Sequence, residues 1–266
     1  MAGRGERAGR EWLYGRRVVR AALAPGARRR AVRLVATAAG LEAVREALPP
    51  GLPVSLAQGR DLERLVASGE HQGVALEVAP YPYAATEAVL DGDLVVALDQ
   101  VSDPRNLGAV ARSALAAGAA GLVVPRDRAA AVTPAAVKAS AGALEHLPVA
   151  RVTNLARFLA AARGRGFWVY GADAGGAVPY TALDLRGPVV LVFGAEGHGL
   201  RRLVREACDA LAHVPMRGPV ESLNVSVAAA LFLFEARRQR GWGGDPGGGP
   251  AAGPPTAGGG GKGGAA

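Results

Sequence analysis

From residue 94 onward, short apolar runs alternate with segments of helical periodicity. The runs have the length and branched aliphatic content of buried strands and lie at 94–98, 122–124, 149–152, 167–170, 189–193 and 212–215. Helical patterns lie at 107–117, from 133–134, and at 155–162, 200–208 and 222–239. This alternation predicts an α/β fold with a mostly parallel sheet and helices on both faces. Ligands bind such sheets at the carboxyl ends of the strands, so the loops after strands are candidates for function.

A smaller α/β pattern occupies residues 10–80. Its predicted elements are a helix at 12–23, a strand at 32–36, a helix at 41–48, a strand at 54–57, a helix capped by Asp61 that ends at 67, and a strand at 73–78. Residues 81–93 contain Pro82 and an Asp-Gly-Asp turn and are interpreted as a linker. The chain is therefore predicted to hold two domains, 10–80 and 94–240, between a flexible basic arm at 1–9 and a disordered Gly/Pro-rich tail at 241–266.

Positive charge is concentrated at the start of the chain. Residues 1–33 contain ten arginines and two glutamates, which accounts for the whole formal charge of +8. Beyond residue 33, basic and acidic side chains balance. A basic N-terminal segment on an otherwise neutral chain favours RNA or DNA as a partner. One part of the chain would bind this partner and another would act on it. The same arginines have three alternative interpretations: charge that keeps the protein in solution, arginine-rich codon usage, or a transit peptide.

Composition excludes several classes of protein. The only cysteine is Cys208, so neither an intramolecular disulfide framework nor a thiolate zinc cluster can form. The four histidines include no i,i+4 metal-binding pair. No uncharged run reaches the ~20 apolar residues that a membrane helix requires. A membrane-spanning protein, a secreted disulfide scaffold and a zinc module are therefore not expected.

Two of the loops that follow predicted strands carry residues suited to chemistry. The first enters a helix with Asn106 near the helix start and Arg112 more than one turn further on. A helix cap and a solvated charge are the structural alternatives for these two residues. The second loop, Phe-Gly-Ala-Glu-Gly-His-Gly-Leu at 193–200, places three glycines around Glu196 and allows a backbone to approach a ligand closely.

A third loop, within 214–230, places Ser222 and Asn224 at the mouth of the longest predicted helix. Ser222 is also a candidate N-cap, a role that does not exclude ligand binding. The apolar face of this helix is formed by Leu223, Val227, Leu231 and Phe234. Core packing or dimer packing explains that face without any ligand.

Together the three loops resemble the SpoU (TrmH) family of RNA ribose 2′-O-methyltransferases in the SPOUT superfamily. They follow the family's order and spacing within about 94–240. Before them, Trp-Leu-Tyr-Gly-Arg-Arg-Val-Val at 12–19 and His-Gln-Gly-Val at 71–74 resemble the opening and closing strings of the family's small RNA-binding domain, which is similar to a ribosomal protein. The resemblance is strongest to members that methylate a guanosine ribose in large-subunit (23S) rRNA.

The resemblance implies a fold, a cofactor and a set of site residues. The fold is a SPOUT methyltransferase domain tied in a deep trefoil knot, preceded by the RNA-binding domain. The cofactor is S-adenosyl-L-methionine, and the residues that would hold it, largely through backbone groups, are Gly194, Val214, Met216 and Leu223. The residues that would line the reacting site are Asn106, Arg112, Glu196, Ser222 and Asn224. The family also implies a cytoplasmic homodimer with its site near the subunit interface, no membrane contact, and RNA, with rRNA favoured, as its partner.

The implied reaction suits these residue types. A ribose hydroxyl attacks a sulfonium methyl group in line, and this donor is electrophilic enough that no metal is expected. Positioning and a proton acceptor are required. The family's usual candidate for the base is Arg112, but a guanidinium does not readily release a proton. Arg112 is therefore expected to hold the target phosphate and stabilise the developing alkoxide, while Glu196 orders Arg112 or Asn106 and a phosphate oxygen or water takes the proton.

Three alternatives remain. A tRNA ribose 2′-O-methyltransferase of the same family would carry the same loops. A non-catalytic RNA-binding protein would explain the basic start of the chain, but it would not need the glycine-rich loop at 193–200. An NAD-dependent dehydrogenase would need a glycine loop after the first strand and an acid ~20 residues later, and residues 103–106 do not supply that loop.

Overall fold

The computed structural model describes residues 9–195, 197–219 and 222–241, which form two sheets flanked by helices. The arm predicted at 1–9 and the tail predicted at 241–266 lie outside the described residues, apart from Gly9 and Gly241. Within the described ranges, no helix has the length and apolar character of a membrane span. The α/β class predicted from the strand–helix alternation is confirmed.

The first sheet has four strands and lies in the N-terminal part of the chain. The elements of this part are β1 (Glu11–Tyr14), α1 (Arg16–Leu23), β2 (Ala31–Ala36), α2 (Ala38–Val44), β3 (Val54–Leu56), α3 (Gly59–Val66), β4 (Val74–Val78) and α4 (Thr86–Val89). The strand order is β1-β4-β2-β3, with β4 antiparallel to both of its neighbours and β2 parallel to β3. Every residue of β4 is buried, so the core of this domain forms around that strand.

The helix predicted at 12–23 is wrong in its first part. The residues before Gly15 form β1 and pair with β4. Gly15 separates β1 from α1 with φ 92°, a conformation that glycine adopts without a steric penalty. Leu13 is fully buried, whereas the adjacent Trp12 and Tyr14 point to the opposite face of the sheet. A strand of four residues is too short for this alternation to be distinguished from helical spacing.

Two other helices of this domain start earlier than predicted. Helix α2 begins before residue 41, because the Thr37 hydroxyl accepts a hydrogen bond from the Gly40 N–H at 3.0 Å and caps the helix. Helix α3 begins at Gly59, so Asp61 lies in its first turn and is not the cap. A carboxylate in the first turn still favours the helix, because the N-terminus of a helix carries partial positive charge.

The second sheet has seven strands. The elements of this part are β5 (Leu94–Asp99), α5 (Pro104–Ala116), β6 (Gly121–Pro125), α6 (Pro134–Ala139), β7 (Val149–Val152), α7 (Leu155–Gly164), β8 (Trp168–Ala172), β9 (Val178–Pro179), β10 (Val189–Gly194), α8 (Arg202–Glu206), β11 (Ala210–His213) and α9 (Val225–Arg240). Their order in the sheet is β7-β6-β5-β10-β8-β11-β9, and every neighbouring pair is parallel.

Strand β10 lies at the centre of this sheet, between β5 and β8, although it comes late in the sequence. Because the strands are parallel, the carboxyl ends of β5, β8, β10 and β11 meet at one edge. Apolar side chains fill both faces of the sheet and form two separate cores, one of which also extends into the N-terminal domain. The topology thus gathers at one edge the loops that the sequence predicts to be functional.

The helices that enter this edge begin at different residues from those predicted. Helix α5 starts at Pro104, because Asp103 Oδ1 accepts a hydrogen bond from the Arg105 N–H at 2.8 Å. Helix α9 starts at Val225 with Asn224 as its cap, and Asn224 Oδ1 accepts from the Ser226 N–H at 2.9 Å. Helix α4 and strand β9 are absent from the sequence prediction, because four-residue and two-residue elements leave no periodic signal.

The segment interpreted as a linker, 81–93, packs against the larger domain. The Tyr81 hydroxyl donates a hydrogen bond to the Leu147 carbonyl at 2.9 Å, and the Ala84 N–H donates to the Val149 carbonyl at 2.8 Å. Burial raises the pKa of Tyr81 well above its ordinary value, since the phenolate would lose its hydration. The connection between the two domains is therefore held in place by buried contacts.

One arginine of the basic segment is not available to a polyanion. The Arg29 side chain is fully buried, with Nη1 2.6 Å from Glu11 Oε2 and Nε 3.3 Å from Glu145 Oε1. Nη2 donates to the Val132 carbonyl at 3.2 Å. Burial raises the pKa of Glu145, and the nearby Arg29 guanidinium opposes part of that increase. Arg29 thus joins the N-terminal domain to the larger one.

Replacing Arg29 with methionine is expected to lower the free energy of unfolding by about 3–5 kcal/mol, because Glu145 would be left buried without its cation. The pKa of Glu145 would then rise further, and the native state would bind more protons than the unfolded state. By linkage, the stability of the variant falls as the pH rises from the ordinary glutamate range towards that raised pKa. Urea unfolding at several pH values measures both effects.

Arg30→Met is the matched control, because Arg30 is the exposed neighbour of Arg29. It is expected to unfold with nearly the wild-type free energy at every pH. Equal unfolding free energies for the two variants would contradict a structural role for the buried pair.

Candidate active site

A cavity of about 510 Å³ lies at the carboxyl ends of β8, β10 and β11. Its walls also include the segment after β11 and the first turns of α9. Phe193 and Phe232 form part of the lining and pack edge to face, with ring centroids 5.5 Å apart. Both side chains are almost completely buried, so they give the cavity a rigid apolar base.

Gly194 ends β10 and forms part of the cavity wall. The chain turns back directly after it, and the Gly199 N–H donates to the Ala195 carbonyl at 2.9 Å. A Cβ atom at position 194 would lie 2.2 Å from the carbonyl group of Gly199 and 2.6 Å from the Leu200 nitrogen. Only glycine fits at this position, and its backbone forms the surface that a ligand meets.

Asp99 fixes the far end of this glycine-rich loop, and sequence reasoning did not identify it as a site residue. It is the last residue of β5 and is completely buried. Its carboxylate accepts hydrogen bonds from the Arg201 backbone N–H at 2.8 Å and from Arg201 Nε at 2.7 Å. The sequence does carry a signal for Asp99, because an acidic residue at the carboxyl end of an apolar strand is unusual.

The third loop supplies the opposite wall of the cavity. Val214, Met216, Ser222 and Leu223 all line it. Ser222 is therefore a lining residue, and the interpretation of Ser222 as the helix cap is wrong because Asn224 caps α9. The four residues predicted to hold the cofactor thus line one cavity: Gly194, Val214, Met216 and Leu223.

Asn106 and Asn224 meet beside the cavity. Asn224 Nδ2 donates a hydrogen bond to Asn106 Oδ1 at 3.1 Å, which joins the starts of α5 and α9. Asn106 is the third residue of α5, so the alternative interpretation of Asn106 as a cap is wrong, since Asp103 is the cap. Asn224 is flanked in sequence by Leu223 and Val225, both of which line the cavity. The pair therefore connects the first and third loops at the cavity mouth.

Arg112 stands apart from this group. It is an exposed residue of α5, six positions after Asn106, which corresponds to about 9 Å along a helix axis. It does not line the cavity, and it forms no hydrogen bond or ion pair with another residue that the structure describes. Glu196, the remaining predicted site residue, lies outside the described residues.

Asp173 lines the cavity and was also missed by sequence reasoning. It follows β8 at the carboxyl end of the sheet, where the strand-end rule would have found it. Its Oδ1 accepts hydrogen bonds from the Gly175 N–H and from Arg205 Nη2, each at 2.9 Å. The carboxylate is therefore fixed in orientation at the edge of the cavity.

The cavity is mainly apolar and has few titratable groups. Among the described residues, those that line it are Asp173, His198 and His213. His213 Nδ1 is 2.9 Å from the Gly176 carbonyl, which places its imidazole in a fixed orientation. No group of three His, Cys, Asp or Glu side chains among the described residues could hold a metal ion. The arrangement suits an organic ligand with apolar parts that is held by backbone groups.

Two family profiles match the chain, and they follow the division between the two sheets. Residues 93–234 match the "SpoU rRNA Methylase family". Residues 12–84 match a family described as "RNA 2'-O ribose methyltransferase substrate binding". The first match includes β8, β10, β11 and the part of α9 up to residue 234, so it contains every described residue that lines the cavity.

Curated relatives carry a corresponding description. An uncharacterized tRNA/rRNA methyltransferase of Mycobacterium ulcerans is 49% identical over 205 residues, which covers 75% of this chain and 66% of the relative. A protein of the same description from Mycolicibacterium smegmatis is 47% identical over 206 residues, with the same coverage. The chain thus spans slightly less than two thirds of the length of these relatives.

Solved structures are similar over both sheets. The SpoU methyltransferase AviRb of Streptomyces viridochromogenes, in complex with the cofactor AdoMet, has a TM-score of 0.76 at 28% identity and covers 90% of this chain and 94% of its own. A putative RNA methyltransferase of the TrmH family from Porphyromonas gingivalis has a TM-score of 0.74 at 30% identity, with 86% and 90% coverage. The AdoMet-bound rRNA methyltransferase of Sinorhizobium meliloti has a TM-score of 0.71 at 29% identity, with 86% and 87% coverage.

Proposed function

This chain belongs to the SpoU rRNA Methylase family, and we propose on that basis that it transfers a methyl group from S-adenosyl-L-methionine to a ribose 2′-hydroxyl of RNA. The observation that carries the proposal is the cavity at the carboxyl ends of β8, β10 and β11. The bare backbone of Gly194 forms one wall, and the segment from Val214 to Leu223 contributes the opposite one. Related structures with bound AdoMet support the choice of cofactor.

The residues of the cavity fit this cofactor. A volume of about 510 Å³ lies within the range of small-molecule sites, and the apolar walls suit an adenine ring and a methionine chain. Because Gly194 has no side chain, the Gly199 carbonyl group can pack closely against it. The Gly194 backbone, which lies in the cavity wall, would contact the cofactor, as would Val214, Met216 and Leu223. When bound, the cofactor supplies a methyl group activated by a positive sulfur.

The other site residues would position the RNA. Asn106 and Asn224, joined at the mouth of the cavity, and Ser222 on its wall would orient the ribose. Arg112 is exposed and keeps its charge, so it would hold the target phosphate and stabilise the alkoxide that develops on the 2′-oxygen. Glu196 would order Arg112 or Asn106. The hydroxyl proton would pass to a phosphate oxygen or to water.

The substrate we favour is a guanosine of large-subunit rRNA in the cytoplasm, with tRNA as the alternative within the family. The resemblance of the motifs supports rRNA, and the match of residues 12–84 to a substrate-binding family supports a dedicated RNA-binding domain. The curated relatives are named for both tRNA and rRNA. The substrate therefore has to be decided by assay.

Transfer of labelled methyl groups tests the function directly. The full chain is incubated with labelled S-adenosyl-L-methionine and, separately, with rRNA and tRNA from cells that lack the gene. We expect label in the 2′-O position of rRNA. Label in tRNA alone would favour the alternative substrate. Cofactor binding without transfer to either RNA, or no cofactor binding in a calorimetric titration, would support a non-catalytic RNA-binding protein.

We also propose that the enzyme is a homodimer that associates through α9. Val227 and Phe234 on this helix are 48% and 40% exposed, although both are apolar. With Leu231 and Tyr180 they line a groove of about 380 Å³. Helix α5, which carries Arg112, packs along α9, so an interface through α9 would lie next to the element that carries Arg112. Exposed apolar patches of this kind are typical of association surfaces.

Replacing Val227 with glutamate is expected to convert the dimer to a monomer, because a charge would be buried in an apolar interface without a partner. Light scattering coupled to size-exclusion chromatography measures the mass. Leu203→Glu is the control, since Leu203 is an exposed apolar residue of α8 and should tolerate the change. A monomeric wild type, or a Val227→Glu variant that remains a dimer, would contradict this interface.

A further inference from the structure

Three side chains form a row across the N-terminal sheet, on the face opposite Leu13. Trp12 of β1 is paired in register with Glu77 of β4, and Glu77 is paired with Arg33 of β2. Neighbouring strands place such residues side by side on one face. The row therefore consists of an indole, a carboxylate and a guanidinium.

This row forms the base of an open groove of about 470 Å³, to which Arg10 and Leu65 also contribute. The Arg33 guanidinium lies over the Trp12 ring, 5.2 Å from the ring centroid. Glu77 is almost buried and is paired with both Arg33 and Arg10. Burial alone would raise the pKa of Glu77, but the two arginines together hold it below the ordinary glutamate value. The guanidinium of Arg33 is thus held in place from below by the carboxylate and the indole.

One side of this arrangement faces solvent. The Arg33 side chain is 49% exposed, whereas the Glu77 carboxylate beneath it is almost buried. Two residues further along β1, on the same face, the Lys138 ammonium lies 4.6 Å from the Tyr14 ring centroid. Lys138 belongs to α6, which packs against α5. A second aromatic–cation pair therefore lies about 7 Å further along the strand, in the direction of the larger domain.

We propose that this groove is a binding site for an unpaired RNA base, stacked against the Trp12–Arg33 pair. The inference rests on the proposed function and assigns part of its RNA recognition to these residues. Unpaired bases in RNA stack on aromatic rings and on guanidinium planes, and a fixed Trp–Arg pair offers both. The half-exposed Arg33 guanidinium also favours the adjoining phosphate. Burial of Glu77 under the arginines leaves its carboxylate away from the incoming strand.

Two measurements on the full chain test this site. The first is the affinity for a fluorescein-labelled single-stranded oligoadenylate, measured by anisotropy. Trp12→Ala is expected to weaken binding about tenfold, because stacking on an aromatic side chain contributes that much per base, whereas Trp12→Phe keeps a ring and most of the affinity. Arg33→Lys keeps the charge but not the plane and should weaken binding severalfold. Arg45→Ala, at an exposed position after α2, is the matched control.

The second measurement is the fluorescence of Trp12 in a chain where Trp168 and Trp242 are replaced by phenylalanine. Saturating oligoadenylate should quench it, whereas an RNA duplex of equal length should not. Unchanged Trp12 fluorescence with bound oligoadenylate would overturn the proposal, as would wild-type affinity in both Trp12→Ala and Arg33→Lys. Equal quenching by the duplex would also overturn it. A calorimetric titration with S-adenosyl-L-methionine separates this outcome from failure of the proposed function, because the cavity and the groove share no lining residue.

Discussion

Replacing Gly194 with alanine is expected to weaken S-adenosyl-L-methionine binding at least about tenfold and methyl transfer about a hundredfold. A Cβ there would lie 2.2 Å from the Gly199 carbonyl group. Since that contact is with backbone, the loop itself must move and the cavity wall moves with it. A misplacement of about 1 Å in a site can reduce the rate by about a hundredfold. Calorimetry measures the cofactor affinity, and thermal unfolding verifies that the variant is folded.

Gly164→Ala is the matched control for this change. A Cβ at Gly164 meets no atom within 4 Å, so cofactor affinity should remain at the wild-type value. A folded Gly194→Ala variant with undiminished cofactor affinity would contradict the assignment of this cavity.

Replacing Arg112 with alanine is expected to reduce methyl transfer about a hundredfold or more while stability and cofactor affinity remain unchanged. A charge that is positioned at the transition state contributes about 3 kcal/mol. Arg112 is exposed, does not line the cavity and has no ion-pair partner among the described residues, so its removal should leave the fold intact. Single-turnover transfer to RNA and a calorimetric titration separate the two effects.

Arg157→Ala serves as the control for the loss of one exposed arginine, because Arg157 lies on α7 and does not line the cavity. It should retain nearly wild-type transfer. Wild-type turnover in Arg112→Ala would remove Arg112 from the mechanism. Loss of cofactor affinity in Arg112→Ala would instead mean that this side chain contributes to the cofactor site.

The location of the site at one edge of the sheet was predictable, because the position of functional loops in a parallel sheet follows a general rule. Alternating strands and helices predict a parallel sheet, and the carboxyl ends of such strands are where ligands bind. This reasoning singled out the loops after the strands, and the family resemblance named Gly194, Val214, Met216 and Leu223 within them; all four line one cavity. Their shared location depends on the strand order, with β10 between β5 and β8, which the order of the apolar runs does not reveal.

Other features could not be predicted, because they depend on contacts between distant parts of the chain. In the sequence, Arg29 is one of several cations in a basic segment. In the structure, its side chain is buried against Glu145, which is far away in sequence. In the sequence, Asp99 only marks the end of a strand. Its role in fixing the glycine-rich loop depends on hydrogen bonds from Arg201. Helix caps were misassigned at Asp61 and Ser222, because several polar residues near a helix start can serve as a cap and local backbone geometry selects one of them.

The most direct test of the central claim is a map of ribose 2′-O-methylation in total RNA from cells with and without this gene. The account predicts that one methylated guanosine of large-subunit rRNA disappears when the gene is deleted. The modification should return with the wild-type gene and should not return with the Arg112→Ala variant. Identical 2′-O-methylation of rRNA and tRNA in the two strains would contradict the proposed function.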